Sequence, residues 1–341
     1  MKKFILLILI ILIPKITFCQ EISFEFDRFG SFQAGAKDTR SLYTLLNSLE
    51  NGFYDDSSKI LSTIPLSYIC LGLGHEYFGH GSITRKLGIE ASYCMSPLSF
   101  STSYWSTPKE DALICYGGQN FNNELKKQEL EYQIMNDFDY RSSSFLIMSK
   151  TVSLGTLFIN NSGSDFAGYT KSWKKVYPDT NLDLDYIKRL SVLSMLDPVY
   201  LMNLVWFSKD SYQGEVPKRN LNMLVPSIDM NIWPCAVTTE LSISKRLNLM
   251  NNNYFIRLSG DYGKDVNNNY VSGCGLEIGD IPIIKNWVSL DLIGKYVDNC
   301  ISETQSTLRV KNLYMRYSYK HVLFSELDSK TSSSFGLTFN L

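Results

Sequence analysis

The sequence predicts an α+β fold, with a mainly helical first half and an antiparallel β second half. Residues 20–215 contain several apolar stretches of helical length and spacing. Residues 220–341 instead alternate polar and apolar side chains with a period of two, which is typical of strands with one buried face. We therefore expect a leader at 1–19, a helical region at 20–215 and an antiparallel, barrel-like β region at 220–341.

The first nineteen residues have the parts of a signal peptide. Two lysines, an apolar stretch at 4–13 and a proline precede a cleavage region around Cys19. The apolar stretch is too short to span a bilayer, which takes about 20 residues. Cleavage before Cys19 would leave a lipid-modified cysteine, although Phe18 is larger than the residue expected there; cleavage after Cys19 leaves Gln20 first. In both cases we expect an exported protein of the bacterial cell envelope.

The net charge and the cysteine spacing argue against a nucleic-acid partner and against a zinc site built from thiolates. The formal net charge is −1 and no basic patch is present, which argues against a nucleic-acid partner. No Cys-x-x-Cys pair occurs, which argues against a thiolate zinc site. Export permits disulfides, but the spacing does not require them, so pairing stays open and buried thiols are the default. The cysteines after Cys19 are Cys70, Cys94, Cys115, Cys235, Cys274 and Cys300.

Helices of the first half are expected at 38–51, 60–87, 110–137, 145–159 and 190–207. Their apolar runs fall short of the roughly 20 residues needed to cross a membrane, and the last two segments contain a charge. We therefore favour buried helices of an exported globular domain over an intramembrane helix bundle. In the third segment, Gly117-Gly118 is expected to weaken or kink the helix.

The second half accommodates roughly seven or eight strands joined by hairpins. One segment places Ile256, Leu258 and Tyr262 on one face, and Arg257 and Asp261 on the other. An apolar face on each strand, with aromatic residues near strand ends, is typical of an outer-membrane barrel. A soluble sandwich or barrel shows the same alternation. We favour the outer-membrane barrel, because a signal peptide makes that membrane reachable.

A metal-binding motif lies at residues 72–81. Two of the three histidines, His75 and His80, fall there, and Glu76 follows the first. Zinc hydrolases use this grouping, with two imidazoles on the metal and a glutamate acting on water. A spacing of five residues, however, places the two side chains about 140° apart on a regular α-helix. We therefore expect either a π-bulge, which often marks a functional site, or a helix that ends at Gly79.

The His-Glu-x-x-Gly-His pattern resembles the zinc motif of the dipeptidyl peptidase III family. Its surroundings resemble the site-2 protease family, in which an apolar helix carries the two histidines. The matching segments are Leu-Gly at 87–88, Gly-Gly-Gln-Asn at 117–120 and Leu-Asp-Pro at 196–198. The chain departs from that family in the histidine spacing, in Gly-Gly for Gly-Pro, and in Leu-Asp-Pro for Leu-Asp-Gly.

These resemblances imply a zinc ion and a peptide substrate. His75 and His80 would hold zinc, and Glu76 would act as the catalytic base. The site-2 arrangement implies Asp197 as the third ligand and Gln119 with Asn120 as substrate-binding residues.

The same residues have structural alternatives. Asp197 can instead cap a helix that begins at Pro198. Glu124 is the other candidate for the third ligand, although it can equally be a solvated charge. Gln119 and Asn120 can cap the Gly-Gly kink.

Three functional classes follow from the sequence. The first is an exported zinc peptidase at the outer membrane. The second is a catalytically inactive relative with a binding or structural role in the envelope. The third is an outer-membrane barrel in which the His-Glu pair is incidental.

Overall fold

The architecture is α+β, with a helical N-terminal half and an antiparallel sheet in the C-terminal region, as the sequence predicts. Because the signal peptide and Cys19 lie outside the described residues, they stay predictions. The computed structural model describes residues 21–27, 31–50, 56–96, 99–136, 138–158, 164–214, 217, 219–249, 252–284, 287–298, 300–310, 313–322 and 330–340.

The helical half consists of eight α-helices and one π-helix within the described residues. They are α1 (Phe32–Glu50), α2 (Asp56–Gly74), the π-helix (His75–His80), α3 (Gly81–Leu87), α4 (Pro108–Asn136), α5 (Tyr140–Phe158), α6 (Asp165–Val176), α7 (Leu184–Met195) and α8 (Pro198–Gln213). No single described helix is long and apolar enough to cross a membrane; α7 and α8 pass that test only together, with a 57° bend between them.

Two sheets are present in the described residues. The strands are β1 (Glu21–Phe26), β2 (Ala91–Ser96), β3 (Ser99–Tyr104), β4 (Val225–Ile232), β5 (Ala236–Leu249), β6 (Asn252–Asp265), β7 (Tyr270–Ile284), β8 (Val288–Val297), β9 (Ile301–Val310), β10 (Leu313–Val322) and β11 (Lys330–Asn340). β2 and β3 form a small hairpin, and the other nine strands form one antiparallel sheet in the order β1-β11-β10-β9-β8-β7-β6-β5-β4. The eight C-terminal strands match the predicted number.

The large sheet is not closed into a barrel, which corrects the expected barrel-like closure. Its edge strands are β1 and β4. On the outer edge of β4, the Ile228 N–H donates to Asp197 Oδ1 at 3.1 Å, and the Ile228 carbonyl accepts from Lys150 Nζ at 2.8 Å. Side chains of the helical half therefore occupy the backbone groups that a further strand would need.

Over much of the large sheet, charged and polar side chains face the helices and apolar side chains are exposed. The usual arrangement of a sheet packed on one side is the reverse, with apolar residues inward. Buried inward side chains include Glu240, Arg257, Asp261, Gln305, Thr307 and Ser334. Exposed apolar side chains occur on six strands: Leu241, Leu258, Leu276, Leu292, Met315 and Phe335. The alternation predicted the strands, but the charged face is the covered one.

Ion pairs connect the buried face of the sheet to α4. Lys127 Nζ of this helix lies 3.1 Å from Glu240 Oε2, and Lys295 pairs with both Glu240 and Asp261. Burial raises the pKa of Glu240, but the charges of Lys127 and Lys295 hold that pKa well below its usual range. Removal of one partner would leave an uncompensated buried charge, so these pairs fix the sheet against the helices.

Helices and strands also share one hydrophobic core. The same cluster of buried side chains contains Phe121 and Trp173 from the helices and Val237, Val271 and Ile301 from the strands. The 20–215 and 220–341 regions therefore pack as a single unit, and β1 from the N-terminal side pairs with β11 at the other end of the chain.

Candidate metal centre

The π-helix brings the two motif histidines together. Residues His75–His80 form a π-helix, in which the Gly81 N–H donates to the Glu76 carbonyl five residues back. Because i→i+5 bonding brings residues five apart nearly over one another, the imidazole rings of His75 and His80 lie 4.8 Å apart, centroid to centroid. The first of the two expected distortions, the π-bulge, is therefore the one that occurs.

A third group joins the histidines from a distant part of the chain. Asp165 Oδ2 lies 2.9 Å from His75 Nε2, and Asp165 Oδ1 lies 3.2 Å from His80 Nε2. One potential ligand atom from each residue lies within 4.8 Å of the others. Asp165 is the first residue of α6, and the preceding Ser164 caps that helix by accepting a bond from the Ala167 N–H. These three residues could hold a metal ion.

The far side of each imidazole is fixed by a hydrogen bond. His80 Nδ1 lies 2.8 Å from the Ile114 carbonyl, so this nitrogen donates and Nε2 is the ring nitrogen that faces Asp165. His75 Nδ1 lies 3.1 Å from Asn122 Oδ1, which likewise leaves its Nε2 toward Asp165. Metal-binding histidines commonly have such a partner on the second nitrogen, because it orients the ring and sets the tautomer. The donor set therefore fits a metal site.

Glycines allow the helices to approach closely enough for the cluster to form. A Cβ on Gly118 of α4 would lie 2.6 Å from His80 Cε1, 2.8 Å from His75 Cε1 and 2.5 Å from Asp165 Oδ2. A Cβ on Gly79 would lie 2.8 Å from the Gly118 Cα. The Gly117-Gly118 pair lies within α4, which runs without interruption from Pro108 to Asn136. The glycines leave room for the π-helix and its histidines.

The three groups stabilise one another electrostatically. Burial lowers the pKa of His80, but the Asp165 carboxylate outweighs burial and raises this pKa to about 9. Burial raises the pKa of Asp165, whereas the charges of His80 and His75 and their hydrogen bonds hold it well below its usual range. Asp165 is therefore a carboxylate at neutral pH, and a metal ion that binds here would displace the proton that His80 carries.

The Glu76 side chain forms a hydrogen bond with the β2–β3 hairpin, whereas the two histidines face Asp165. Its Oε2 accepts a hydrogen bond of 2.7 Å from Thr102 Oγ1 of β3, and the side chain is only partly buried. Thr102 carries no sequence signal, since the predicted motif ends before this hairpin. The hairpin thus fixes a carboxylate next to the metal-binding cluster without removing it from solvent.

Asp197, predicted as the third ligand, lies elsewhere. It is 2% exposed, pairs with Lys150, and accepts a bond from the Val199 N–H at the start of α8. The structural alternative, a helix cap before Pro198, therefore describes its position. Glu124 likewise stays outside the described cluster and accepts a bond from Gln128, one turn along α4.

The two residues predicted to bind substrate differ in position. Gln119 Nε2 donates to Asp165 Oδ2 at 3.2 Å, so this amide orients the carboxylate of the cluster. Asn120 follows it on α4 and is partly buried. Asn122, three residues after Gln119, instead orients His75.

Comparison with known proteins adds no relative to this chain. No protein-family model, no curated protein and no solved structure matches it. The resemblance to zinc metallopeptidases thus stays a prediction that rests on His75, Glu76, Gly79 and His80.

We predict that Gly118→Ala weakens metal binding at least about tenfold, because the added methyl would displace both imidazoles and Asp165. The measurement is the dissociation constant for zinc, obtained by competition with a chelating dye. Gly294→Ala is the matched control, since a Cβ at Gly294 meets nothing within 4 Å. Equal zinc affinity in Gly118→Ala and Gly294→Ala would contradict this account of the glycine contact.

Proposed function

We propose that this protein is a zinc-dependent hydrolase that cleaves peptide bonds. The observation that carries the proposal is the convergence of His75, His80 and Asp165, with Glu76 next to His75 in the chain and near enough for its charge to act on His80. Two imidazoles and one carboxylate leave room for a water in a four-coordinate catalytic zinc site. This proposal keeps the zinc and the peptidase activity predicted from the motif, and it assigns Asp165 instead of Asp197 as the third ligand.

When bound, zinc supplies a Lewis acid that makes water a nucleophile near neutral pH. The protein's own residues then position and move the proton. Glu76 would accept the water proton on a carboxylate oxygen and later deliver it to the leaving amine. The hydrogen bond from Thr102 Oγ1 to Glu76 Oε2 leaves the second oxygen, Oε1, for this role. Gln119 and Asn122 keep Asp165 and His75 in place.

The glutamate distinguishes a hydrolase from a second class of metal enzyme. Two histidines and one carboxylate also form the ligand set of iron(II) oxygenases. Those enzymes need open positions for oxygen rather than a base next to the ligands. Glu76, oriented by Thr102 and partly exposed, supplies such a base, and this favours hydrolysis.

The hairpin beside the site supports a peptide as the substrate. β2 and β3 form a two-stranded sheet of their own, so each has one edge without a strand partner among the described residues. Thr102, which binds Glu76, belongs to β3. An extended peptide can add to such an edge through main-chain hydrogen bonds. The hairpin would then hold a peptide backbone next to the catalytic carboxylate.

We predict that Glu76→Gln abolishes peptide hydrolysis, by at least about a hundredfold, while one zinc per chain stays bound, because an amide cannot accept the proton. The measurement pairs peptide cleavage with zinc content. Glu90→Gln, at an exposed glutamate shortly after α3, is the control and should keep full activity.

Two outcomes would oppose this function. Full activity in Glu76→Gln would remove the catalytic base from the mechanism. Bound zinc without hydrolysis of any peptide by the native protein would favour the alternative, an inactive metallopeptidase-like envelope protein with a binding role.

We also propose that the protein is exported and associates with the outer membrane through the exposed face of its large sheet. Apolar side chains cover this face, and the charged ones point toward the helices. That polarity is typical of strands facing lipid.

We predict that Leu258→Arg/Leu276→Arg reduces vesicle binding at least about tenfold, because arginine on a lipid-facing strand costs about 2–4 kcal/mol at mid-depth. The two leucines are directly paired across β6 and β7 and are both exposed. The measurement is flotation with phospholipid vesicles. Ser92→Arg, on the exposed hairpin, is the control. A native protein that stays at the bottom of the gradient would contradict the membrane proposal.

A further inference from the structure

Two buried cysteines meet at one end of the large sheet. Cys235 lies in the turn between β4 and β5, Cys300 lies just before β9, and their sulfurs are 2.7 Å apart. Both residues are buried, 1% and 0% exposed. An S–S bond is about 2.05 Å long, so a shift below 1 Å would join the two atoms.

We infer that Cys235 and Cys300 form a disulfide that supports the helix carrying Asp165. The bond forms by thiol–disulfide exchange with a disulfide oxidant, either a small molecule such as glutathione disulfide or an oxidoreductase. The two thiols lose two protons and two electrons and become one S–S bond. The S–S bond of the oxidant breaks and yields two thiols, so atoms and electrons balance.

The backbone already holds both cysteines in position. The Cys235 carbonyl accepts from the Val266 N–H at 2.9 Å, and the Cys300 N–H donates to the Val297 carbonyl at 3.1 Å. Val266 follows β6, so the β4–β5 turn, the end of β6 and the β8–β9 turn meet at the pair. A disulfide here would join β4 and β5 to β8 and β9 across 65 residues of sequence.

Both cysteines are buried in the folded chain, out of reach of an oxidant, so we expect the exchange to occur before the core closes. The contact with Cys300, together with burial, raises the pKa of Cys235 far above its usual value. Because the thiolate is the attacking species, a thiol in this environment would react slowly with an oxidant. We therefore expect the bond to form during folding and to resist reduction once the sheet is covered.

The link to the metal centre runs through Tyr169. Its hydroxyl donates to the Trp233 carbonyl at 3.0 Å and reaches the Ala236 carbonyl at 3.3 Å, on either side of Cys235. Tyr169 lies one turn after Asp165 on α6. A disulfide at Cys235 would thus keep the turn that anchors α6. Only this last link rests on the proposed metal function; the pairing itself does not.

Alkylation in three steps tests the pairing on the full chain, expressed with export to an oxidising compartment. One reagent blocks thiols in the folded protein, a second blocks them after unfolding, and a third after reduction. We expect Cys94 and Cys274, which are exposed, to react first. The buried Cys70 and Cys115 should react on unfolding.

Cys235 and Cys300 decide the outcome. We expect both to react only after reduction and to appear beforehand as one cross-linked peptide. Reaction of both on unfolding, before reduction, would overturn the proposal, as would a cross-link from either cysteine to a different one. None of these outcomes depends on metal or activity, so failure of the proposed function would leave this test intact.

A melting-temperature measurement with and without reductant provides a second test, which stays valid if the cysteine variants fold less well. We expect a reductant strong enough to cleave the bond in the unfolded chain to lower the melting temperature of the native protein by about 5 °C or more. Cys235→Ala/Cys300→Ala should lose this sensitivity. Cys70→Ala/Cys115→Ala, which removes two other buried thiols, should keep it. Equal reductant shifts in both double variants would overturn the disulfide.

Discussion

Direct backbone contact between the π-helix and α4 is the constraint on which the metal centre depends. Gly79 faces Gly117 and Gly118, and side chains at these positions would collide with the opposite helix. Only at this separation can α4 supply Asn122 and the Ile114 carbonyl to the two imidazoles. The π-turn then brings both rings to one side. The site therefore depends on three glycines at the helix contact and on the wider turn of the π-helix, neither of which a regular pair of α-helices provides.

The second constraint is electrostatic. The helical half and the sheet meet through a layer of charged side chains, in which Lys126 and Lys150 pair with Asp229 and Lys127 pairs with Glu240. Buried charges are costly unless paired, so this layer tolerates few alternative arrangements of helices against sheet. Because α4 carries two of these lysines as well as Gly118, the same ion pairs that fix the sheet also fix the helix behind the histidines.

The sequence allowed the local features of the site to be predicted, but not the distant ones. A five-residue histidine spacing implies a distorted helix by geometry alone, and the structure contains that distortion. Asp165 could not be found in this way, because an acid in the first turn after a serine cap is ordinary at any helix start. The resemblance to site-2 proteases implied Asp197 as the third ligand, yet Asp197 pairs with Lys150 and caps α8. Similarly, alternation predicts strands but not which face is covered.

The most direct test of the metal centre is the zinc content of Asp165→Asn, measured by elemental analysis beside the native protein and Glu124→Gln. Glu124 is the other acidic residue considered as a ligand, and its side chain bonds Gln128 instead. We expect about one zinc per chain in the native protein and in Glu124→Gln, and loss of zinc in Asp165→Asn. Full zinc content in Asp165→Asn, or none in the native protein, would contradict the proposal that His75, His80 and Asp165 bind the metal.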